Sequence, residues 1–339
     1  MARKFNEENE RIKRRYLTYL REAKRCDHST VDKAAEAILR FEISTGYKAF
    51  KRFHIEQATA FKRGLTTDIS KTTGKPLAKA TIDGTLRAVK TFILWLAGQS
   101  GYRSRISYSD AEYFNLNAKD VRIAHAERDA PFPTLEQCRH AFAQMPDATD
   151  IERRNKALFA FLMLTGARDG AIASLRLKRI DVIERCVYQD ARDVKTKFSK
   201  TFTTWFFPVD PAYRECFEAW VAHLRQDLLY GPNDALFPKP AIGLEQGSFA
   251  AIGLSRDPYA NAGKIREVIK AAFTGAGLPA FAPHSFRKTL VALGNQVCQT
   301  PEAFKAWSLN LGHDSVITTI SAYCPVPAQR QRELIRGMG

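Results

Sequence analysis

The pattern of apolar and polar positions along the chain predicts a mainly α-helical protein in two parts. The clearest pattern lies at about 78–97, where Ile82, Leu86, Val89, Ile93 and Leu96 recur at alternating steps of four and three residues. This spacing places all five side chains on one buried helical face. Weaker patterns predict three earlier helices, at about 6–25, 30–43 and 47–64, and a polar loop from Thr66 to Pro76. We therefore expect a four-helix N-terminal domain.

A break in periodicity marks the end of this first part. Residues 98 to about 133 show no sustained pattern and finish in Asp129-Ala130-Pro131-Phe132-Pro133, which is typical of an extended linker. Thr134, with Glu136 or Gln137 behind it, has the pattern of a helix N-cap. The sequence thus predicts a helical domain at 1–110, a linker at 111–130 and a second domain at 131–339.

The second part combines helices with one small β-sheet. Residues 157–164 are almost wholly apolar, which indicates a buried helix ending at Thr165-Gly166. Residues 186–188 and 202–209 favour β-structure, and the basic segment 195–200 lies between them, as in an antiparallel hairpin. Residues 231–261 are rich in Gly and Pro and are predicted to be a loop. Further helices are predicted at about 211–229, 262–274, 284–298, 301–311, 315–323 and 327–337.

Composition and charge indicate the class of binding partner and the cellular compartment. The 339 residues carry a net charge of +16, and residues 1–105 alone hold 23 Lys and Arg against 11 Asp and Glu. A basic surface of this kind favours a polyanion such as nucleic acid. The charged N-terminus lacks an apolar stretch, no run is long enough to span a membrane, and six scattered cysteines form no zinc or disulfide pattern. We expect a protein of the cell interior, in the cytoplasm at the nucleoid, with no membrane contact.

A scattered set of polar residues in the second part carries the candidate chemistry. Arg168 ends Leu-Thr-Gly-Ala-Arg, His284 and Arg287 form a His-x-x-Arg unit, His313 ends Leu-Gly-His, and Tyr323 follows ten residues later. Arginine offers a fixed fork of donors for phosphate oxygens, which suits a phosphate that becomes pentacoordinate. A phenol needs a base or a cationic field to become a nucleophile at neutral pH. The set therefore fits phosphodiester transfer through a tyrosine.

In order and spacing, these motifs resemble those of the tyrosine recombinase (phage integrase) family. The resemblance covers roughly 130–330 and, more loosely, the helices before it, which resemble a core-binding (SAM-like) domain. It implies a C-terminal catalytic domain in which Tyr323 forms a 3′-phosphotyrosyl bond to DNA. Arg168 and Arg287 would bind the non-bridging oxygens, His284 would transfer protons and His313 would donate a hydrogen bond to the phosphate. No cofactor and no metal are implied.

The remaining site residues are lysines and an arginine. The family's general acid is a hairpin lysine, for which Lys195, Lys197 and Lys200 compete; Lys195 followed by Thr196 most resembles the family's pattern. Lys197 and Lys200 are then expected to bind DNA. In the first domain, Lys79, Arg87 and Lys90 lie off the apolar stripe of the fourth helix and are expected to face phosphates.

Two positions depart from the family's pattern, and two other functions remain open. Ala171 stands where the family usually has a carboxylate, for which Asp169 is the nearest substitute, and Lys288 stands where it has histidine. Neither change removes a catalytic group. The alternatives to a site-specific recombinase are a type IB topoisomerase-like enzyme, which reseals the same strand, and a catalytically silent DNA-binding protein of the same fold.

The resemblance also predicts an assembly. The partner would be double-stranded DNA, on which four copies act together, while the protein is weakly associated or monomeric without it. The tail after Pro325, with Leu334, Ile335 and Met338 on one side, is expected to dock on a neighbouring subunit, because a short helix is marginal in water alone. The alternative is docking on its own domain.

Overall fold

The computed structural model describes residues 5–70, 73–126, 131–245, 248–313 and 328–336, and these form two compact units, Met1–Arg128 and Asp129–Gly339. Unit 1 is helical in its described part. Its helices are α1 (Glu7–Thr18), extended by a π-helical turn (Tyr19–Ala23), α2 (His28–Ser44), α3 (Ile55–Thr67), α4 (Lys79–Ala97) and α5 (Ala118–His125), with 3₁₀ turns at Phe50–Arg52 and Tyr108–Phe114.

Helix α4 is the centre of unit 1. Its predicted apolar stripe is buried, and Val89 and Ile93 are fully excluded from solvent, as is Phe92 beside them. It packs against α2, α5 and the second 3₁₀ turn. The third helix begins later than predicted, because the Gln57 side chain accepts a hydrogen bond from the His54 backbone N–H at 3.2 Å and so starts α3 after a separate 3₁₀ turn.

The segment expected to be a linker is partly helical in the structure. The 3₁₀ turn ends at Phe114, whose ring is buried in the core of unit 1, and α5 follows at Ala118–His125. Helix α5 is too short and too polar for its periodicity to be recognised: it buries no residue completely. It packs on α4 all the same.

Unit 2 surrounds a helix whose C-terminal half is apolar. Its helices are α6 (Leu135–Ala143), α7 (Asp150–Thr165), α8 (Asp169–Ile172), α9 (Pro211–Gln226), α10 (Gly263–Gly275), α11 (Ser285–Val297), α12 (Pro301–Asn310) and α13 (Ala328–Arg336). Residues 157–164 of α7 are all buried, as predicted, and α7 packs against α6, α9 and α11. The N-cap predicted at Thr134 is confirmed, since its side chain accepts from the Gln137 N–H at 3.2 Å.

Two small antiparallel sheets complete unit 2. The first, in the order β1-β2-β3, consists of β1 (Ile180–Asp181), β2 (Cys186–Gln189) and β3 (Phe202–Trp205), with Val187 opposite Thr204. It contains the predicted hairpin. The second consists of β4 (Pro240–Glu245) and β5 (Ser248–Leu254). The prediction of a loop at 231–261 was therefore wrong, because glycines that usually break structure sit here within a bulged two-stranded ribbon. Within the described residues, no helix has the length and apolar character needed to cross a membrane.

Among the described residues of unit 2, three helices end at a glycine in the left-handed conformation. Gly166, Gly277 and Gly312 follow α7, α10 and α12 with φ of 57°, 73° and 73°. Gly277 has open space where a side chain would begin, whereas a methyl group on Gly166 would lie 2.7 Å from Leu311 Cδ2 and 3.0 Å from Leu290 Cδ1. The end of α7 is thus in close contact with α11 and the end of α12, and only glycine fits there.

We predict that Gly166→Ala destabilises the protein far more than Gly277→Ala. Both substitutions incur the left-handed penalty of about 1–2 kcal/mol, and Gly166→Ala adds overpacking of about 1–3 kcal/mol. Urea unfolding of the two variants measures the difference. Equal losses of unfolding free energy would show that the contact between Gly166 and Leu311 relaxes without cost.

Candidate active site

The Arg287 side chain is fixed by the ends of two other helices. It lies in the first turn of α11 and is 2% exposed. Its Nη1 donates to Gly166 O at 2.7 Å and its Nη2 donates to Leu311 O at 2.7 Å. Both carbonyls lie at helix C-termini, where backbone acceptors lack helical partners and the helix dipole is negative. The guanidinium is therefore held by α7 and α12 while it is carried by α11.

His313 is placed beside Arg287 by the turn that ends α12. Gly312 N–H donates to Leu309 O at 2.7 Å and His313 N–H donates to Ser308 O at 3.3 Å, the Schellman pattern. A methyl group on Gly312 would lie 2.6 Å from the Phe202 ring, so this turn is packed against β3. The sequence Leu-Gly-His thus encodes both the turn and the position of the imidazole.

The His313 ring is neutral at physiological pH. It is 6% exposed, and its Nε2 lies 2.7 Å from Arg287 Nη2. Burial and the charges of Arg287 and Arg168 lower the pKa of His313 to about 4. Because Arg287 can only donate, Nε2 accepts and the ring proton is on Nδ1. The donor that His313 can offer to a phosphate oxygen is accordingly Nδ1–H.

His284 and Arg168 lie at the starts of two helices close to this pair. His284 directly precedes α11, and desolvation together with the charges of Arg287 and Arg168 lowers its pKa below the ordinary value. Arg168 is half-buried and directly precedes α8. Asp169 is the nearest substitute for the carboxylate that the family usually has at position 171. Its carboxylate accepts from Arg266 Nε at 2.5 Å and from the Gly170 N–H at 2.8 Å.

The three hairpin lysines differ in their surroundings. The charge of Lys200 is among those that lower the pKa of His313, so Lys200 belongs electrostatically to the cluster. Lys195 Nζ instead donates to Ala260 O at 3.3 Å. Lys197 Nζ lies 4.9 Å from the centroid of the exposed Phe198 ring. Phe198 and the next residue, Ser199, are both left-handed, with φ of 60° and 52°.

Asn310 joins α12 to the small sheet, a role that sequence reasoning missed. Its side chain accepts from Trp205 N–H and donates to Trp205 O, both at 2.8 Å, so it pairs with β3 as a backbone amide would. The Asn310 carbonyl accepts from Thr204 Oγ1 at 3.0 Å, and Thr204 accepts from Gln189 Nε2 at 3.0 Å. The only sequence signal for this role was the position of Asn310 directly before Leu-Gly-His.

Asp190 anchors the other end of the hairpin, and it too was missed. It is buried at the end of β2, where Arg192 Nη2 lies 2.6 Å and Arg179 Nη2 lies 3.2 Å from its Oδ2. The hydrogen bonds and charge of Arg192 hold the Asp190 pKa well below its usual range. Its carbonyl also accepts from Val194 N–H at 2.8 Å, which fixes the chain just before Lys195.

A large cavity adjoins the cluster on the side of β3 and α12. Its volume is about 1230 Å³, and Lys200 and His313 lie at its polar edge. The rest of its lining is mainly apolar and includes Trp205, Phe207 and Leu309.

In unit 1, the three predicted DNA-binding residues each contact an acidic side chain. Lys79 Nζ lies 2.9 Å from Asp120 Oδ1, and Arg87 Nε lies 3.0 Å from Asp83 Oδ2. Lys90 Nζ lies 2.9 Å from Glu112 Oε2. The pairs of Lys79 and Lys90 are partly exposed, and pairs of this kind contribute about 0–1 kcal/mol. Asp83 is instead buried, and its carboxylate also lies 3.2 Å from His125 Nε2.

Tyr323 lies outside the described residues, as does the helix predicted at 315–323. Four of the five other catalytic candidates, Arg168, His284, Arg287 and His313, come together in one cluster. The fifth, Lys195, donates to Ala260 O instead. In the described ranges, no three His, Cys, Asp or Glu side chains are grouped so as to bind a metal ion.

Solved structures with this fold include integrases. One is a lambda integrase (residues 75–356) dimer bound to a COC′ core site. The structural match covers 91% of this chain and 93% of the lambda integrase chain, with TM-score 0.61 and 12% sequence identity. The Tn1549 transposon integrase (residues 82–397), in complex with circular intermediate DNA, matches 96% of this chain and 98% of its own, with TM-score 0.58 and 16% identity. No protein-family model and no curated protein matches the sequence. The chain has the integrase fold, mainly α with small antiparallel sheets, which confirms the fold that the sequence resemblance implied.

The depressed pKa of His313 predicts a loss of stability on acidification. In the unfolded chain the ring takes up a proton near its ordinary pKa of about 6.5, whereas in the fold it does so only near pH 4. Between these values the unfolded state binds more protons, so the free energy of unfolding falls as pH falls, by up to about 3 kcal/mol from this group.

His313→Gln keeps an acceptor for Arg287 but cannot titrate, so its free energy of unfolding should fall less than that of the wild type between pH 6.5 and pH 4. Urea unfolding at a series of pH values measures both proteins. Parallel curves over the whole range would mean that His313 titrates in the fold as it does in the unfolded chain.

Proposed function

We propose that this protein is a site-specific DNA recombinase that cuts and rejoins strands through a 3′-phosphotyrosyl intermediate on Tyr323. The observation that carries the proposal is the convergence of Arg168, Arg287 and Lys200 on His313, whose pKa responds to all three charges. A cationic cluster with two neutral histidines, on the integrase fold, suits a phosphodiester in transfer.

Each residue of the cluster would have its own role in the reaction. Arg168 and Arg287 bind the non-bridging oxygens, and His313 Nδ1–H donates a third hydrogen bond as charge builds on the phosphate. The phenolic oxygen of Tyr323 attacks phosphorus while its proton passes to the neutral His284. The bond to the 5′-oxygen breaks, and a lysine supplies the proton for that oxygen. The phosphotyrosine retains the bond energy, so a 5′-hydroxyl from another strand reverses the step.

Double-stranded DNA would be the substrate and the partner of both units. The integrases with this fold were solved with DNA, and unit 1 offers Lys79, Arg87 and Lys90 on one helix. Lys197 at the exposed hairpin tip would add a phosphate contact in unit 2. Exchange of strands between two duplexes requires four active sites, so we infer a tetramer on DNA. Helix α13, whose Ile335 is 63% exposed, would link neighbouring subunits.

Covalent capture on DNA of random sequence tests the function. The protein is incubated with a library of nicked duplexes, and complexes that survive denaturing detergent are recovered and sequenced. We expect wild-type protein to yield an adduct on Tyr323 and Tyr323→Phe to yield none. Duplexes recovered in this way then show whether strands are exchanged between two molecules or resealed within one, the topoisomerase-like outcome. DNA binding without any adduct would contradict the proposal in favour of a silent DNA-binding protein.

Arg168→Lys and Arg287→Lys should both reduce capture, but only Arg287→Lys should also destabilise the fold. Loss of a preorganised donor costs on the order of 10²–10³ in rate. Arg287 additionally bridges Gly166 O and Leu311 O, which a single ammonium cannot span in the same geometry. Adduct yield and thermal unfolding of each variant separate the two effects. Wild-type adduct yield in Arg168→Lys would remove this residue from the chemistry.

We propose Lys200 as the general acid in place of Lys195, the residue favoured by the sequence resemblance. Lys200 influences His313, whereas the Lys195 amine is bonded to Ala260 O. A substrate with sulfur at the bridging 5′ position needs no proton on leaving, so it should restore cleavage by Lys200→Ala but not by Arg168→Lys. Lys195→Ala and Lys197→Ala are the matched controls and should cleave the ordinary substrate. If the sulfur-containing substrate restored cleavage only to Lys195→Ala, the general acid would instead be Lys195.

A further inference from the structure

The β4–β5 ribbon exposes an apolar face that the proposed chemistry does not use. Ile242 lies opposite Ala251 and Leu244 lies opposite Phe249, so these four side chains share one face. Ile242 is 63%, Leu244 72% and Phe249 81% exposed. Ile252 is on the other face, since its Cδ1 would lie 2.5 Å from a methyl group on Gly243. We call the surface formed by Ile242, Leu244, Phe249 and Ala251 the ribbon face.

The ribbon is firmly attached at its base, so the direction of its face is set. Tyr230 Oη donates to Ser255 O at 2.8 Å, and Leu254 packs against the core of unit 2. Ion pairs join Lys239 to Asp257 at 3.1 Å and Arg256 to Asp234 at 2.6 Å. In the described part of the chain, β4 and β5 form hydrogen-bonded ladders only with each other. An isolated two-stranded ribbon is marginally stable in water, which favours a partner for its apolar side.

Charge decides which partner fits. From 240 to 254 the sequence contains one ionisable residue, Glu245, and the cations at the base are paired with carboxylates. A DNA backbone is bound mainly by cations and would find none on this face. Copies of a chain of net charge +16 repel each other, and a neutral apolar surface is where two copies can approach most closely.

We propose that the ribbon face packs against the same face of a second copy of the chain across a two-fold axis. One surface that meets itself is the usual geometry of homodimers. Three large side chains from each copy would bury roughly 700 Å² in total, below the ~1,200 Å² typical of stable complexes. The contact is therefore weak in solution and becomes effective when copies are held close together, as on one DNA molecule.

Sedimentation velocity over a concentration series, without DNA, tests the contact on the full chain. Wild-type protein should associate increasingly with concentration, and Phe249→Asp should raise the dissociation constant by at least about tenfold, as expected for a central aromatic residue. Ile183→Asp is the matched control: Ile183 is 87% exposed, lies outside the ribbon in the same unit, and should leave association unchanged. Equal effects of the two substitutions, or monomeric wild-type protein at every concentration, would overturn the proposal.

Cross-linking identifies the surfaces that meet. Phe249→Cys treated with a short bismaleimide should give a covalent dimer joined through residue 249 of both copies, above the background of the parent protein with its own cysteines. Ile183→Cys should not. Two further results would also overturn the proposal. A lower melting temperature of Phe249→Asp with no change in association would place the partner surface within the same chain. Weaker binding of Phe249→Asp to a duplex that accommodates one protein molecule would make DNA the partner.

Discussion

The bonds from Arg287 to Gly166 O and Leu311 O are the constraint on which the rest of the candidate site depends. They tie α11 to the ends of α7 and α12, and the same guanidinium sets the tautomer of His313. Three segments that are far apart in sequence are joined in this way around one buried cation. Because that cation needs helix C-termini around it to offset its burial, the site cannot form before these helices are packed. Formation of the candidate site is thus coupled to complete folding of unit 2.

Much of this architecture could be predicted because the local sequence signals and the tertiary packing favour the same structure in several elements. The apolar end of α7 before Gly166, the cap at Thr134 and the hairpin at β2–β3 all follow from spacing and turn chemistry. The β4–β5 ribbon could not be predicted from the sequence. Glycines interrupt the alternation of apolar and polar residues along its strands, and its apolar side chains face outward, so the usual pattern of a buried face is absent. Helix α5 was missed for a related reason: polar contacts with α4, such as Asp120 with Lys79, support it instead of a buried stripe.

Within the site, sequence motifs identified residue types but not their mutual geometry. The grouping of Arg168, His284, Arg287 and His313 follows from their order in a known pattern, whereas the choice among the hairpin lysines depends on how the tip folds back. Asn310 is the clearest example of a role that sequence analysis cannot find. Its side-chain amide pairs with the backbone of β3, and neither a periodic pattern nor a motif in the sequence indicates that pairing. Residues that position others are found only when the contacts themselves are seen.

The hairpin tip has a consequence for how the proposed recombinase would evolve. Phe198 and Ser199 occupy consecutive left-handed conformations that a glycine or asparagine would adopt at lower cost, yet neither residue is present. The strained turn is held by the two strands that carry it, which Asp190 and Asn310 fix in place. On the proposed function, a duplex that bound one conformation of the turn more tightly than another would shift the population of the tip. Substitutions at positions 198 and 199 would then change how readily the proposed recombinase cleaves DNA, without altering any group of the proposed chemistry.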